Sequence, residues 1–307
     1  MKKMNDALSH CQICPRKCGI DRTKGNLGFC RAPYLPKLAL VSRHDWEEPP
    51  ISGTKGSGTV FFSHCNLGCV FCQNHDISQD GFGQEISVER LAEIFLEQQE
   101  RGFHNVNLVS AVQFIPQVAN ALKIAKSQGL SIPVVYNSNG YESIEGLRLL
   151  EGLVDVYLPD FKYWNDALGE EYSRCPHYRE TAAAAILEMY RQVGNNIIGE
   201  NGIMQKGTLV RHLILPLRTA ESMRILDAIA NELPAGTPVS LMRQYTPMNG
   251  VDIPGLDRRL TSREYIRVRD HMFDLGLDGF LQQKESADSA YTPAFMDEES
   301  TRLFPSE

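Results

Sequence analysis

The chain of 307 residues carries a formal charge of −7, with 42% hydrophobic and 22% charged residues, the profile of an ordinary globular protein with one large α/β domain and an appendage, or two domains. The negative balance argues against a nucleic-acid partner, which needs clustered Lys and Arg, and no apolar run approaches the roughly 18 residues of a membrane helix. No signal-peptide core follows Met1-Lys2-Lys3-Met4-Asn5-Asp6, so a cytoplasmic location is expected.

The first feature along the chain is a cysteine run, Cys11-x2-Cys14-x3-Cys18-x11-Cys30. With Cys65, Cys69 and Cys72 it accounts for seven of the eight cysteines, a grouping that points to metal rather than to disulfides. Four thiolates interleaved with Gly and Pro form a complete ligand set. Structural zinc, closed and tetrahedral, satisfies it, and an auxiliary iron–sulfur cluster satisfies it as well. Pro49-Pro50 and the glycines at 53, 56 and 58 read as a linker. Residues 1–50 are therefore set apart as a Cys-rich metal-binding extension.

From Thr59 onward, strand-like runs alternate with helix-like stretches. Strands are predicted over 59–63, 105–110, 132–138, 153–159, 208–215 and 237–243, with a short seventh near 278–282. Leu91, Ile94 and Phe95 form a helical stripe ended by Gly102; Ile115, Val118, Ala119 and Leu122 form another before Gly129. Further helices are predicted from Thr181 to Val193 and from Ser262 to Gly276. This alternation implies a parallel sheet with helical crossovers. Six units are too few for a closed eight-fold barrel, so the expected fold class is α/β, a partial (β/α)6 TIM-like barrel over residues 51–285. Residues 286–307 read as a polar, Pro-broken tail.

After the first apolar strand comes Cys65-x3-Cys69-x2-Cys72. Three thiolates on one loop hold three irons of a four-iron cluster and leave the fourth without a protein ligand. An open metal position signals chemistry rather than scaffolding. Zinc sites draw four ligands, usually paired as C-x2-C, and fit this loop poorly. The loop resembles the signature of the radical S-adenosylmethionine (radical SAM) enzymes, and Phe71 stands where that family has an aromatic residue near the adenine. The resemblance implies a [4Fe-4S] cluster, S-adenosylmethionine as cofactor, and cleavage to a 5′-deoxyadenosyl radical.

Active sites of parallel β/α barrels form at the C-terminal ends of the strands, where this sequence places Ser110, Asn137-Ser138-Asn139-Gly140, Asp160-Phe161-Lys162, Arg211-His212 and Arg243-Gln244-Tyr245. Within the superfamily the chain is most similar to the activases of glycyl-radical enzymes, the pyruvate formate-lyase activating enzyme-like group with an N-terminal cysteine cluster. That resemblance implies methionine-end contacts from Asn137, Ser138 and Asn139, a cofactor–substrate boundary at Asp160 and Lys162, and a ribose or carboxylate contact from Arg211. The Gly-Gly-Glu segment that usually meets the cofactor's amino group is replaced by Ser110-Ala111-Val112-Gln113, which leaves that task to Ser110 or Gln113. Tyr245 is followed by Thr246 rather than His, which weakens the activase reading.

The resemblance implies a flavodoxin- or ferredoxin-like electron donor and a hydrogen atom taken from a substrate, a protein glycine if the activase likeness holds. The same chemistry on a small molecule or peptide is an alternative, as is a non-enzymatic iron–sulfur carrier or sensor. Cys175 reads as a lone structural thiol. His64 and His75 flank the loop and either tune it or pack locally. Gly53-Thr54-Lys55-Gly56 lacks the ending of a phosphate loop.

Overall fold

A computed structural model describes residues 2–248 and 250–282, together with Phe295. The expected tail at 286–307 otherwise lies outside the described residues. The short strand Gln84–Glu85 edges the sheet and pairs with the start of β1 (Lys37–His44), which runs antiparallel to β2 (Ser57–Phe62), placing Leu40 opposite Phe61 and His44 opposite Ser57. Next come β3 (Val106–Val109), β4 (Val134–Ser138) and β5 (Val156–Pro159), each parallel to its neighbour. The pairing of Val109 with Asn137, and of Ser138 with Pro159, aligns their C-terminal ends.

Beyond β5 the sheet forks. The lower half of β5 pairs with β6 (Met204–Thr208), and the chain then steps through Leu209 into β7 (Val210–Leu213). A parallel bridge between Asp160 and Arg211 carries the barrel across that fork. Parallel β8 (Val239–Met242) and β9 (Gly279–Leu281) complete the series. Among the described residues no pairing joins β1 to β9, so the (β/α) barrel is partial, as its strand count implies.

Every residue of β2, β3, β4 and β5 is buried, which explains why they read as near-continuous apolar runs: helices cover the outer face of a parallel sheet. The crossovers are helices Val88–Glu100, Ile115–Ser127, Tyr178–Val193, Thr219–Glu232 and Ser262–Asp274. Ser87 caps the first by accepting from the Arg90 N–H, and Thr261 with Glu264 forms a capping box on the last. Outward residues such as Val106, Leu108 and Tyr136 join the helical layer. The alternate positions, Val109, Asn137, Arg211 and Leu213, turn inward, and Asn107 meets Glu47.

Three features differ from the sequence expectation. The stretch expected as a linker is a helical turn, Pro49–Ser52, with Ile51 fully buried, leading directly into β2. Lys37–His44, assigned to the extension, is a sheet strand. Helix Thr219–Glu232 was not anticipated. The extension also shares the main core, since Met4, Leu8, Cys14 and Ala32 pack in one cluster with Leu38, Phe62 and Ile115. Because β1 is antiparallel, its end delivers Trp46, Glu47 and Glu48 to the N-terminal edge of the parallel strands, where they close the barrel from below.

Candidate active site

The loop after β2 turns sharply at His64, whose φ is 69°, and is tied down from both sides. Gly68 and Val70 donate their N–H groups to the carbonyls of Ser173 and Tyr172, and Gln79 Nε2 donates to Leu67 O. Each of the three sulfurs meets a polar hydrogen donor. Cys65 Sγ accepts from the Leu67 N–H at 3.4 Å and from Asn139 Nδ2 at 3.3 Å; Cys69 Sγ accepts from Ser173 Oγ at 2.9 Å; Cys72 Sγ lies 3.3 Å from Ser78 Oγ. Burial pushes the Cys65 thiol up to about 12 and Cys69 to about 11, and raises Cys72. Three buried thiols with hydrogen-bond donors aimed at sulfur suit a cationic cluster, which forces deprotonation and whose sulfurs take such bonds. The residues present fit a [4Fe-4S] cluster.

The loop opens on a cavity of about 520 Å³ that runs down the barrel interior, lined by Cys65, Cys69, Cys72, Ser110, Asp160 and Arg211, among others. This is the size of a pocket for a sizeable small molecule. Phe71 forms one wall with Tyr245, ring centroids 5.6 Å apart in an edge-on arrangement. Ser110 lines the wall at a φ of 58°, and its hydroxyl has no protein partner among the described residues.

A buried ionic network occupies the lower interior. Arg211 donates from Nε to Asp160 Oδ1 at 3.1 Å, from Nη1 to Glu47 Oε2 at 3.2 Å, and from Nη2 to Asn137 Oδ1 at 2.7 Å. Glu47 Oε1 accepts from Asn107 and Asn137, and Lys162 Nζ sits 2.5 Å from Asp160 Oδ2. Burial alone would raise the Asp160 carboxyl, but Lys162 and Arg211 outweigh it and hold the pKa below the ordinary value. For Lys162 the balance is reversed: burial opposes its charge, and Asp160 raises the pKa. Glu48 is pushed up by burial, against the pull of Arg211, and its Oε2 is buried without a partner among the described residues.

All of the expected barrel residues line this one cavity: Cys65, Cys69, Phe71, Cys72, Ser110, Asn137, Ser138, Asn139, Asp160, Lys162 and Arg211. Several of their side chains are also engaged within the protein. Asn139 donates to Cys65 Sγ and Asn66 Oδ1 and accepts from the Tyr141 N–H. Ser138 Oγ donates to Glu142 and accepts from the Gly140 N–H. The segment thus fastens β4 to the cysteine loop. Gln113 does not reach the cavity: its Nε2 donates to the carbonyls of Ser63, His64 and Ser110. His212 faces outward, its Nδ1 on Phe161 O, and burial lowers its pKa to about 4. Cys175 is fully buried and donates to Gly169 O. Glu47 and Glu48 were missed, because an acidic pair before Pro-Pro looks like a solvated linker. The apolar run of β1 ahead of them was the available signal.

The four cysteines of the extension also converge. Gly19 N donates to Cys11 O and Lys17 N to Cys14 O, making the turns that bring Cys11, Cys14, Cys18 and Cys30 around one small void. Arg16 and Arg22 line it too. Among the described residues no helix is long and apolar enough to cross a membrane.

The model of the radical SAM superfamily matches residues 59–213. An uncharacterised protein of Methanocaldococcus jannaschii is 33% identical over 270 residues, covering 84% of this chain and 72% of its own. Among solved structures, Streptococcus suis SuiB bound to S-adenosylmethionine aligns with a TM-score of 0.51 at 12% identity, covering 73% of this chain. The chain spans about half the length of SuiB, 49% of it in that alignment. A domain of a pyruvate-formate lyase-activating enzyme from Bacteroides vulgatus aligns at a TM-score of 0.41 and 11% identity, over 56% of this chain and 92% of that one. A family match across half the chain, and a relative of this identity over most of its length, place the protein in the radical SAM superfamily.

Proposed function

We propose that the protein reductively cleaves S-adenosylmethionine and uses the radical to take a hydrogen atom from a polypeptide substrate, as glycyl-radical activases do. The observation that carries the first half is the convergence of three buried thiols, each with a polar hydrogen at sulfur, on a cavity of about 520 Å³. Cys65, Cys69 and Cys72 would hold three irons and leave a fourth position facing the cavity. When bound, the cluster supplies the electron that breaks the cofactor's carbon–sulfur bond.

The chain's own residues provide the rest. Phe71 and Tyr245 give an apolar wall suited to an adenine. Ser110 offers a free hydroxyl to the cofactor's amine or carboxylate. Asn139 orients the cluster loop from β4, and Arg211 fixes Asp160 and Asn137 at the cavity wall while retaining two of its five N–H donors. Asp160 and Lys162 mark the boundary at which the substrate enters. The polypeptide half rests on the likeness of Asp160-Phe161-Lys162 to the activase segment at the cofactor–substrate boundary. A flavodoxin- or ferredoxin-like protein is the expected electron source.

The second reading, a small amine-bearing substrate, is favoured by Glu48, whose buried, unpartnered Oε2 belongs to a residue lining the cavity. An unsatisfied buried carboxylate oxygen is costly, and a substrate ammonium would satisfy it. Incubation with deuterated candidates separates the readings. Deuterium transferred into 5′-deoxyadenosine from a glycine-labelled protein supports the activase, and transfer from a small amine supports the alternative.

A further inference from the structure

Zinc and an iron–sulfur cluster ask for different spacings of the four extension cysteines. A zinc ion holds its sulfurs at about 2.3 Å, so four of them stand about 3.8 Å from one another with no space between. Here the void lined by Cys11, Cys14, Cys18 and Cys30 admits a water-sized sphere. Among the described residues, the grouping of three ligand atoms within 4.8 Å of one another is His75, Asp76 and Asp80, and no three of these four sulfurs form one. A cubane of four irons and four sulfides needs this wider spacing. Arg22, itself buried, and Arg16 line the same void, placing two cations beside a site whose ligands carry four negative charges.

Two side chains tie the void to the loop that carries Cys65. Gln113 lines it on one side, and on the other its Nε2 donates to the carbonyls of Ser63 and His64, immediately before Cys65. Arg16, between Cys14 and Cys18, donates its Nε to Asn66 O at 3.0 Å, and Asn66 Oδ1 accepts from the same Asn139 amide that meets Cys65 Sγ. Gln113 and Arg16 thus run from the void to the backbone on either side of Cys65. Cys18 is the exposed member of the four, and it lies against Gly28, between the exposed Leu27 and Phe29 in the chain.

We propose that Cys11, Cys14, Cys18 and Cys30 hold a second four-iron cluster rather than zinc, and that it relays electrons inward. A reduced one-electron protein donor passes one electron to this cluster near Cys18. The cluster passes it to the one held by Cys65, Cys69 and Cys72, and no proton or atom moves with it. The ligand assignment stands on the geometry alone. The relay rests on the radical SAM reading of the barrel site.

The full chain, isolated anaerobically and reconstituted with iron and sulfide, tests both. The Cys65→Ala, Cys69→Ala, Cys72→Ala triple variant is expected to keep about half of the wild-type iron and sulfide and one electron paramagnetic resonance signal on reduction. A triple variant that binds one zinc and shows no such signal overturns the ligand assignment, whether or not the wild type cleaves S-adenosylmethionine. Gly28→Ala keeps every thiol but sets a methyl 2.7 Å from Cys18 Sγ; it is expected to shift the signal that survives in the triple variant, and an unshifted signal counts against the site. For the relay, Cys18→Ala is expected to slow 5′-deoxyadenosine formation driven by a reduced ferredoxin by at least about tenfold more than formation driven by dithionite. Equal effects with both reductants overturn the relay and leave the cluster standing.

Discussion

Asn139 Nδ2 donates to Cys65 Sγ at 3.3 Å and to Asn66 Oδ1 at 2.8 Å, so the end of β4 holds the first cysteine of the three-cysteine loop. Register explains why this residue is available: Ser138 pairs with Pro159 at the end of β4, and Gly140 turns the chain back immediately after. Asn139→Leu should remove the donor from sulfur and strand Asn66 Oδ1, at a cost of about 1–3 kcal/mol. Urea unfolding of the apoprotein reads that cost. A redox titration of the loaded protein should find a more negative cluster potential, because a hydrogen bond to sulfur favours the reduced state.

Gly140 adopts a φ of 79°, and a Cβ there would collide with the Asp160 carbonyl. Gly140→Ala should cost at least about 1–2 kcal/mol from the left-handed backbone alone. It should also displace Asn139, giving lower cluster occupancy after reconstitution, measured as iron per chain. A variant with wild-type iron content and stability would contradict this account of the turn.

Arg211 is the central cation of the buried network. Arg211→Met leaves Glu47 and Asp160 as buried carboxylates short of a partner, and a broken buried pair of this kind costs about 3–5 kcal/mol. Lower thermal stability and weaker S-adenosylmethionine binding, the latter read by calorimetry on the reconstituted protein, are the expected results. Arg211→Lys should recover only part of either, since a single ammonium cannot reach Asp160, Glu47 and Asn137 together.

Glu142 makes stability depend on pH. Burial pushes its carboxyl up to about 7, outweighing the hydrogen bonds from Ser138 and Tyr136. The folded state therefore holds a proton that the unfolded chain has already released. The stabilisation is fully present below the ordinary value of 4.5 and is lost as pH rises through about 7, a swing of about 3 kcal/mol. Glu142→Gln should flatten the stability profile of the apoprotein across that window, which urea titrations at a series of pH values would measure.

Legibility in the sequence followed burial. The parallel strands, covered on both faces, announced themselves as Val- and Leu-rich runs, and the cysteine loop could be read because iron–sulfur ligation demands a short spacing of thiols. Strand Lys37–His44, flanked on its outer side only by the two residues Gln84–Glu85, has one covered end and one polar end, so its pattern faded into the preceding extension. Glu47 and Glu48 were hidden for a topological reason: only the antiparallel course of β1 brings a segment before Pro49-Pro50 under the barrel. The protein partners of Ser138 and Asn139 were not legible, because they depend on neighbours such as Glu142 and Asn66, which spacing alone does not identify.

The central claim is tested most directly by reconstituting the protein anaerobically, reducing it with dithionite in the presence of S-adenosylmethionine, and assaying 5′-deoxyadenosine. The account predicts product from the wild type and none from the variant in which Cys65, Cys69 and Cys72 are all alanine. A fully loaded, reduced wild-type protein that forms no product, and whose cluster spectrum does not change when S-adenosylmethionine is added, would contradict it.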